Sequence, residues 1–119
     1  IFLFLGGFFF TISYDTIYAF QDIKDDKKFG IKSFAIILEN NSNKNIVSIL
    51  FLSYFFFTLS LTQNENLNLY LSLMLSLPIL ICFIIQFFLF KKKLYKVVFD
   101  SSALTGLIIS FVFLTTNYL

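Results

Sequence analysis

The sequence has no histidine, no tryptophan and no arginine, one cysteine (Cys82) and one proline (Pro78). Without histidine and with a single thiol, the Cys/His zinc sites and any disulfide framework are excluded. Cys82 lies in the middle of an apolar run, where a thiol acts as a small hydrophobe. Charge is also scarce. Only 13% of residues are charged and the net charge is +2, too little to argue for a nucleic-acid partner. With 58% hydrophobic residues and a mean hydropathy of +0.84, the chain fits neither a soluble domain nor a disordered one. It reads as a membrane protein. Nineteen Phe, nine Lys and eight Asn beside no Trp or Arg look like the codon bias of an AT-rich genome and carry no function. The chain starts at Ile1, inside an apolar run, without an initiator Met or a basic flank of signal-peptide type. A fragment lacking its N-terminal part is expected.

A bilayer core takes about 20 mostly apolar residues per helix. Spans are expected at residues 1–14, 46–62, 67–90 and 101–119, the first shortened by the start of the chain. An all-α membrane bundle follows, with Pro78 kinking the third span near residues 75–77. The first connection carries Lys24, Lys27, Lys28, Lys32 and Lys44, the second carries no lysine, and the third carries Lys91, Lys92, Lys93 and Lys96. The positive-inside rule therefore puts the first and third connections on the cytoplasmic side, as helix alternation also requires. Residues 29–38 are apolar but too short to span, and Gly30 separates them from the preceding acidic stretch. They read as an interfacial or re-entrant piece. There is no internal repeat, P-loop or GxxxG, and Gly6, Gly7 and Gly106 read as close helix contacts.

Four of the seven acids, Asp15, Asp22, Asp25 and Asp26, fall within residues 15–26, directly after an uncharged apolar run. Carboxylates three or four positions apart repel and lose hydration at a hydrocarbon edge, so they need a cation. On a continuous helix, at about 100° per residue, Asp15, Asp22 and Asp26 project within roughly 20° of one another. Tyr18 and Asp25 flank that stripe, and Lys24, Lys27 and Lys28 fall on the opposite half. Oxygen-only ligands suit a hard cation, Mg²⁺ above all, which keeps waters and holds a phosphate substrate through one or two carboxylates. The D-x-x-D-D pattern at Asp22, Asp25 and Asp26 offers such a site.

The run YDTIYAFQDIKDDKKFGIKSFAIIL, residues 14–38, resembles the second Asp-rich signature of the UbiA superfamily of intramembrane prenyltransferases. Its YDTxYAxxDxxDD core followed by GIKS is most similar to the 4-hydroxybenzoate polyprenyltransferases of ubiquinone biosynthesis. FDSSALTG, residues 99–106, is similar to the family's spacing before its last helix, with Ser101 and Ser102 where Asn is common. The family's first signature, NDxxDxxxD, is absent from this sequence.

The resemblance implies a bundle of nine spans around a central cavity, of which these would be the last four. It implies an integral, multi-pass protein of the bacterial or mitochondrial inner membrane, with its active site toward the cytoplasm or matrix. The implied reaction is Mg²⁺-dependent transfer of a polyprenyl group from its diphosphate to an aromatic acceptor. The metal stabilises the leaving diphosphate, and a water-poor cavity protects the allylic cation. Asp22 and Asp26 match the motif's metal-binding ends. Asp25 is an outer metal contact or a solvated helix end. Asp15, deepest in the membrane, is tied to metal-bound water or to Lys32. Tyr18 contacts diphosphate or faces the cation with its ring, or is an interfacial aromatic. Lys32 binds diphosphate as a point charge or is one more topology-setting lysine. The acceptor is expected to be 4-hydroxybenzoate, with a naphthoate, homogentisate or a porphyrin-derived alcohol as alternatives. A rival from another class is a cation transporter, which would need acids inside several spans. The fragment alone is expected to be inactive.

Overall fold

The computed structural model describes all of residues 1–119, and they form helices and turns only. The order is α1 (Phe2–Ala19), a 3₁₀ turn (Phe20–Asp22), α2 (Ile23–Lys28), α3 (Phe34–Leu38), α4 (Ser42–Thr62), α5 (Leu69–Lys91) and α6 (Tyr95–Thr116). Four stretches are long and apolar enough to cross a bilayer: Phe2–Lys28, Ser42–Thr62, Leu69–Lys91 and Tyr95–Thr116. The long helices pack as a closed ring in which α1 touches α4 and α6, and α5 touches α4 and α6. Successive long helices run antiparallel, α1 and α4 joined through α2 and α3 and the others by short turns, so all nine lysines collect at one end. The turn from Gln63 to Asn68 at the other end carries Glu65 and no lysine. The chain is thus a multi-pass membrane bundle with strong charge asymmetry between its ends.

Several helices run past the apolar stretches read from sequence. α1 continues beyond Tyr14 to Ala19, and α6 begins at Tyr95 rather than at residue 101. Charged residues end a hydrocarbon-crossing run, but they do not end backbone hydrogen bonding, so Lys96 and Asp100 sit on α6 instead of in a loop. α5 stays helical through Pro78. The turn after α2 is built as expected from Gly30: its φ is +70°, and Ile31 N–H reaches back to Asp26 C=O at 2.8 Å, the six-residue closure of a Schellman cap. α5 ends similarly, with Leu94 N–H donating to Leu89 C=O at 3.1 Å, but Lys93 occupies the left-handed position at φ +59°.

Lipid is as apolar as leucine, so packing and interhelical hydrogen bonds, rather than hydrophobicity, bring membrane helices together. α1 and α4 show this directly. A Cβ on Gly6 would lie 2.7 Å from Phe57 Cδ1, and Ser53 Oγ donates to Gly6 C=O at 2.8 Å. Gly7 meets nothing within 4 Å, and a Cβ on Gly106 would only touch the Phe10 ring at 4.0 Å. Of the three glycines, Gly6 is the one that requires its missing side chain. The interior continues through Phe10 stacked on Phe83 at 5.7 Å and Phe57 against Phe113 at 6.0 Å.

Candidate active site

The Asp-rich stretch leaves α1 at the lysine-rich end, but not as the single helix assumed for its projection. Residues Phe20–Asp22 wind as a 3₁₀ turn, which advances about 120° per residue instead of about 100°. Asp22 and Asp26 are therefore rotated by roughly 60° from the position that a continuous α-helix would give them relative to Asp15. Asp22 is the N-cap of α2 without a side-chain capping bond, and Asp26 follows one helical turn later, half-buried.

The remaining candidates, Asp15, Tyr18 and Lys32, also lie toward the lysine-rich end. The inward side of α1 carries Gly6, Phe10, Ser13, Thr16 and Ile17. The opposite side exposes Phe4, Phe8, Thr11, Asp15 and Tyr18. Thr11 is satisfied by donating to Gly7 C=O at 3.0 Å. Asp15 has no hydrogen-bonded or ionic partner; Lys27 with Glu39 is the only ion pair in the chain. Asp15 and Lys32 are thus not paired. Asp22, Asp25 and Asp26 are equally free of partners, and Lys32 is exposed. An unpaired carboxylate on a membrane helix turns toward a wet cavity or another protein element, because lipid cannot compensate it.

Aromatic packing fixes the mouth. Tyr18 lies 4.6 Å from Phe99 of α6, centroid to centroid, and Tyr14 packs edge-on to the same ring at 5.9 Å. Phe20 packs against Phe90 and Tyr95 at 5.2 and 5.9 Å. These contacts clamp the end of α1 against the α5–α6 turn. Ser101 and Ser102 donate to Val98 and Phe99 carbonyls of their own helix at 2.9 and 2.6 Å, so they serve the backbone. Sequence reading gave no role to Asp100, an exposed and unpaired acid directly after Phe99. Its adjacency to a family-like Phe was the available signal.

The donor set is oxygen-only and uncompensated, which suits Mg²⁺. No three acidic or thiol side chains converge on one point, so the chain supplies no closed cage. A pair of carboxylates one turn apart is still enough for an ion that takes its other ligands from phosphate and water. The residues fit one wall of a site.

Comparisons with known proteins place the chain among prenyltransferases. The 4-hydroxybenzoate octaprenyltransferase of Haemophilus ducreyi is 45% identical over 51 residues, 43% of this chain and 18% of that protein. The mitochondrial 4-hydroxybenzoate polyprenyltransferase of Mus musculus is 45% identical over 42 residues, 35% of this chain and 11% of that protein. The 4-hydroxybenzoate geranyltransferase 2 of Lithospermum erythrorhizon is 59% identical over 34 residues, 29% of this chain and 11% of that protein. The matched segments span less than a fifth of these curated relatives. No solved structure gives a significant match. The model of the UbiA prenyltransferase family matches residues 1–114, nearly the whole chain, and the chain belongs to that family.

Proposed function

We propose that the full-length protein transfers a polyprenyl group from polyprenyl diphosphate to 4-hydroxybenzoate, as a step toward ubiquinone, with Mg²⁺ held in part by Asp22 and Asp26. The observation that carries this reading is the row of unpaired carboxylates at the lysine-rich end of a membrane-crossing helix, Asp15 on α1 and Asp22 with Asp26 just beyond it. The names of three relatives share the acceptor and differ in the prenyl chain. The acceptor is accordingly better supported than the length of the tail. The cation-transporter alternative has no support here, since the acids cluster at one mouth instead of lining several spans.

In this reading, the chemistry supplied by Mg²⁺ would be Lewis-acid stabilisation of the negative charge on the leaving diphosphate. Asp22 and Asp26, one turn apart across the start of α2, would hold the ion, and exposed Asp25 would offer an outer contact. Lys32, exposed and without an acidic partner, would add a positive charge at the diphosphate. Tyr18, held against Phe99, presents a fixed aromatic ring and hydroxyl at the mouth. Tyr14 and Phe99, packed edge-on beside it, offer an apolar surface that would keep water from the allylic carbon. Asp15 sits one turn deeper than Tyr18, and its carboxylate orients water or a cationic group at that depth.

The test is prenyl transfer by the full-length protein in membranes, with a panel of 4-hydroxybenzoate, naphthoate and homogentisate acceptors. Asp22→Asn and Asp26→Asn should each lower Mg²⁺-dependent transfer to 4-hydroxybenzoate by at least a hundredfold without loss of membrane-inserted protein. Undiminished activity in both variants would remove the metal assignment, and transfer to another acceptor alone would replace the substrate.

A further inference from the structure

Away from the acidic mouth, α4 and α5 enclose an apolar groove of about 190 Å³ lined by Val47, Phe51, Tyr54, Leu80, Ile84 and Phe87, with Leu50 and Phe83 as its floor. The floor is buried, whereas Phe51 and Ile84 at the rim are exposed. Tyr54 brings the only polar side-chain atom, and its hydroxyl is already bonded to Ser76 Oγ at 2.9 Å. Nothing in the groove can hold a polar ligand.

Its lysine-rich end differs. On α4, Lys44 precedes Val47 and Phe51 by three and seven residues, which puts it on the groove face one turn beyond the lining. On α5, Lys91 follows Phe87 and Ile84 by four and seven residues, on the same face, and its Nζ lies 5.9 Å from the Phe87 ring centroid. Because the helices are antiparallel, both lysines come to the same end. Neither has an acidic partner. A second groove, between α5 and α6 around Pro78, Leu107 and Phe111, lies toward the opposite end and has no cation near it.

We propose that the α4–α5 groove is a binding site for an anionic phospholipid of the lysine-side leaflet, one acyl chain in the groove and the phosphate between Lys44 and Lys91. Lysine stems lie along apolar surface while their ammonium groups reach the headgroup layer, and paired cations between transmembrane helices on the cytoplasmic side select anionic headgroups. The groove is lined by α4 and α5 alone, whereas Asp15 stands on the exposed side of α1 and Asp22 and Asp26 lie just beyond its end, so the occupant is a bilayer lipid and not the polyprenyl diphosphate. The site is independent of the proposed catalytic reading.

The experiment is native mass spectrometry of the full-length protein in detergent, titrated with phosphatidylglycerol or with phosphatidylcholine of the same acyl chains. Wild type should retain phosphatidylglycerol in preference. Lys44→Gln with Lys91→Gln should cut that retention on the order of tenfold, to the level of phosphatidylcholine, whereas Lys96→Gln on α6 should leave it intact. Ile84→Trp, a bulky residue at the exposed rim, should weaken retention of both lipids with the lysines still present. Equal retention of the two lipids by wild type, an unaffected double-lysine variant, or displacement of phosphatidylglycerol by polyprenyl diphosphate would each overturn the proposal.

Discussion

Replacing Gly6 by alanine separates packing from helix propensity, because Gly7 is its own control. At Gly6 the new methyl would stand 2.7, 2.9 and 3.0 Å from Phe57 Cδ1, Cε1 and Cγ. Carbon contacts settle at about 3.5–4.0 Å, so α1 or the Phe57 ring must retreat by about 0.8 Å or more. Phe57 is 2% exposed and is held by the Phe83 and Phe113 rings at 6.5 and 6.0 Å, so the helix must move. That movement also stretches the bond from Ser53 Oγ to Gly6 C=O, 2.8 Å at present. Overpacking costs about 1–3 kcal/mol, and an interhelical hydrogen bond in a membrane is worth about 0.6 kcal/mol. Alanine returns up to about 1 kcal/mol of helix propensity at either position. Gly6→Ala should therefore be less stable than Gly7→Ala by about 1–3 kcal/mol, with Gly7→Ala at or above wild type. Steric-trapping measurements of reversible unfolding of the full-length protein in bicelles provide the comparison. Phe57→Leu should rescue Gly6→Ala. Equal stabilities of the two alanine variants, with no rescue, would refute the close contact that sets α1 against α4.

Lys93 sits at φ +59°, a conformation costing a non-glycine residue about 1–2 kcal/mol; Lys93→Gly should raise stability by up to about 1 kcal/mol in the same assay. Gln86 is 1% exposed, donates to Thr105 Oγ1 at 3.3 Å, and leaves its Oε1 without a partner, so Gln86→Met should cost little or stabilise, whereas Thr105→Val, which strands the amide, should destabilise by about 1–2 kcal/mol. The exposed Lys27–Glu39 pair should show a coupling under about 1 kcal/mol in a double-mutant cycle. Cysteines placed at Asn64 and at Lys92, in a Cys82→Ala background, should label from opposite sides of sealed vesicles, as the charge asymmetry requires.

Four apolar runs and the placement of lysines were legible because hydrocarbon thickness and positive-inside bias act on composition alone. Gly30 could be read as a breaker because only a left-handed residue closes that turn. The helix ends were not legible: Lys96 and Asp100 look like loop residues by charge, yet they extend α6 into the interface. The acidic row was recognisable by residue type, but its geometry depended on the 3₁₀ turn at Phe20–Asp22, which no spacing announces. Gln86, inside an apolar run, gave no hint that its amide points inward to Thr105. The groove between α4 and α5 needed two helices aligned by packing before Lys44 and Lys91 could be seen to share an end.

The central claim is that Asp22 and Asp26 grip Mg²⁺ and, through it, a diphosphate. Equilibrium binding of polyprenyl diphosphate to the full-length protein, titrated with and without Mg²⁺, addresses that claim without requiring turnover. Wild type should bind at least tenfold tighter with Mg²⁺, and the Asp22→Asn, Asp26→Asn double variant should bind equally weakly in both conditions. A double variant that keeps the full Mg²⁺ enhancement would contradict the account.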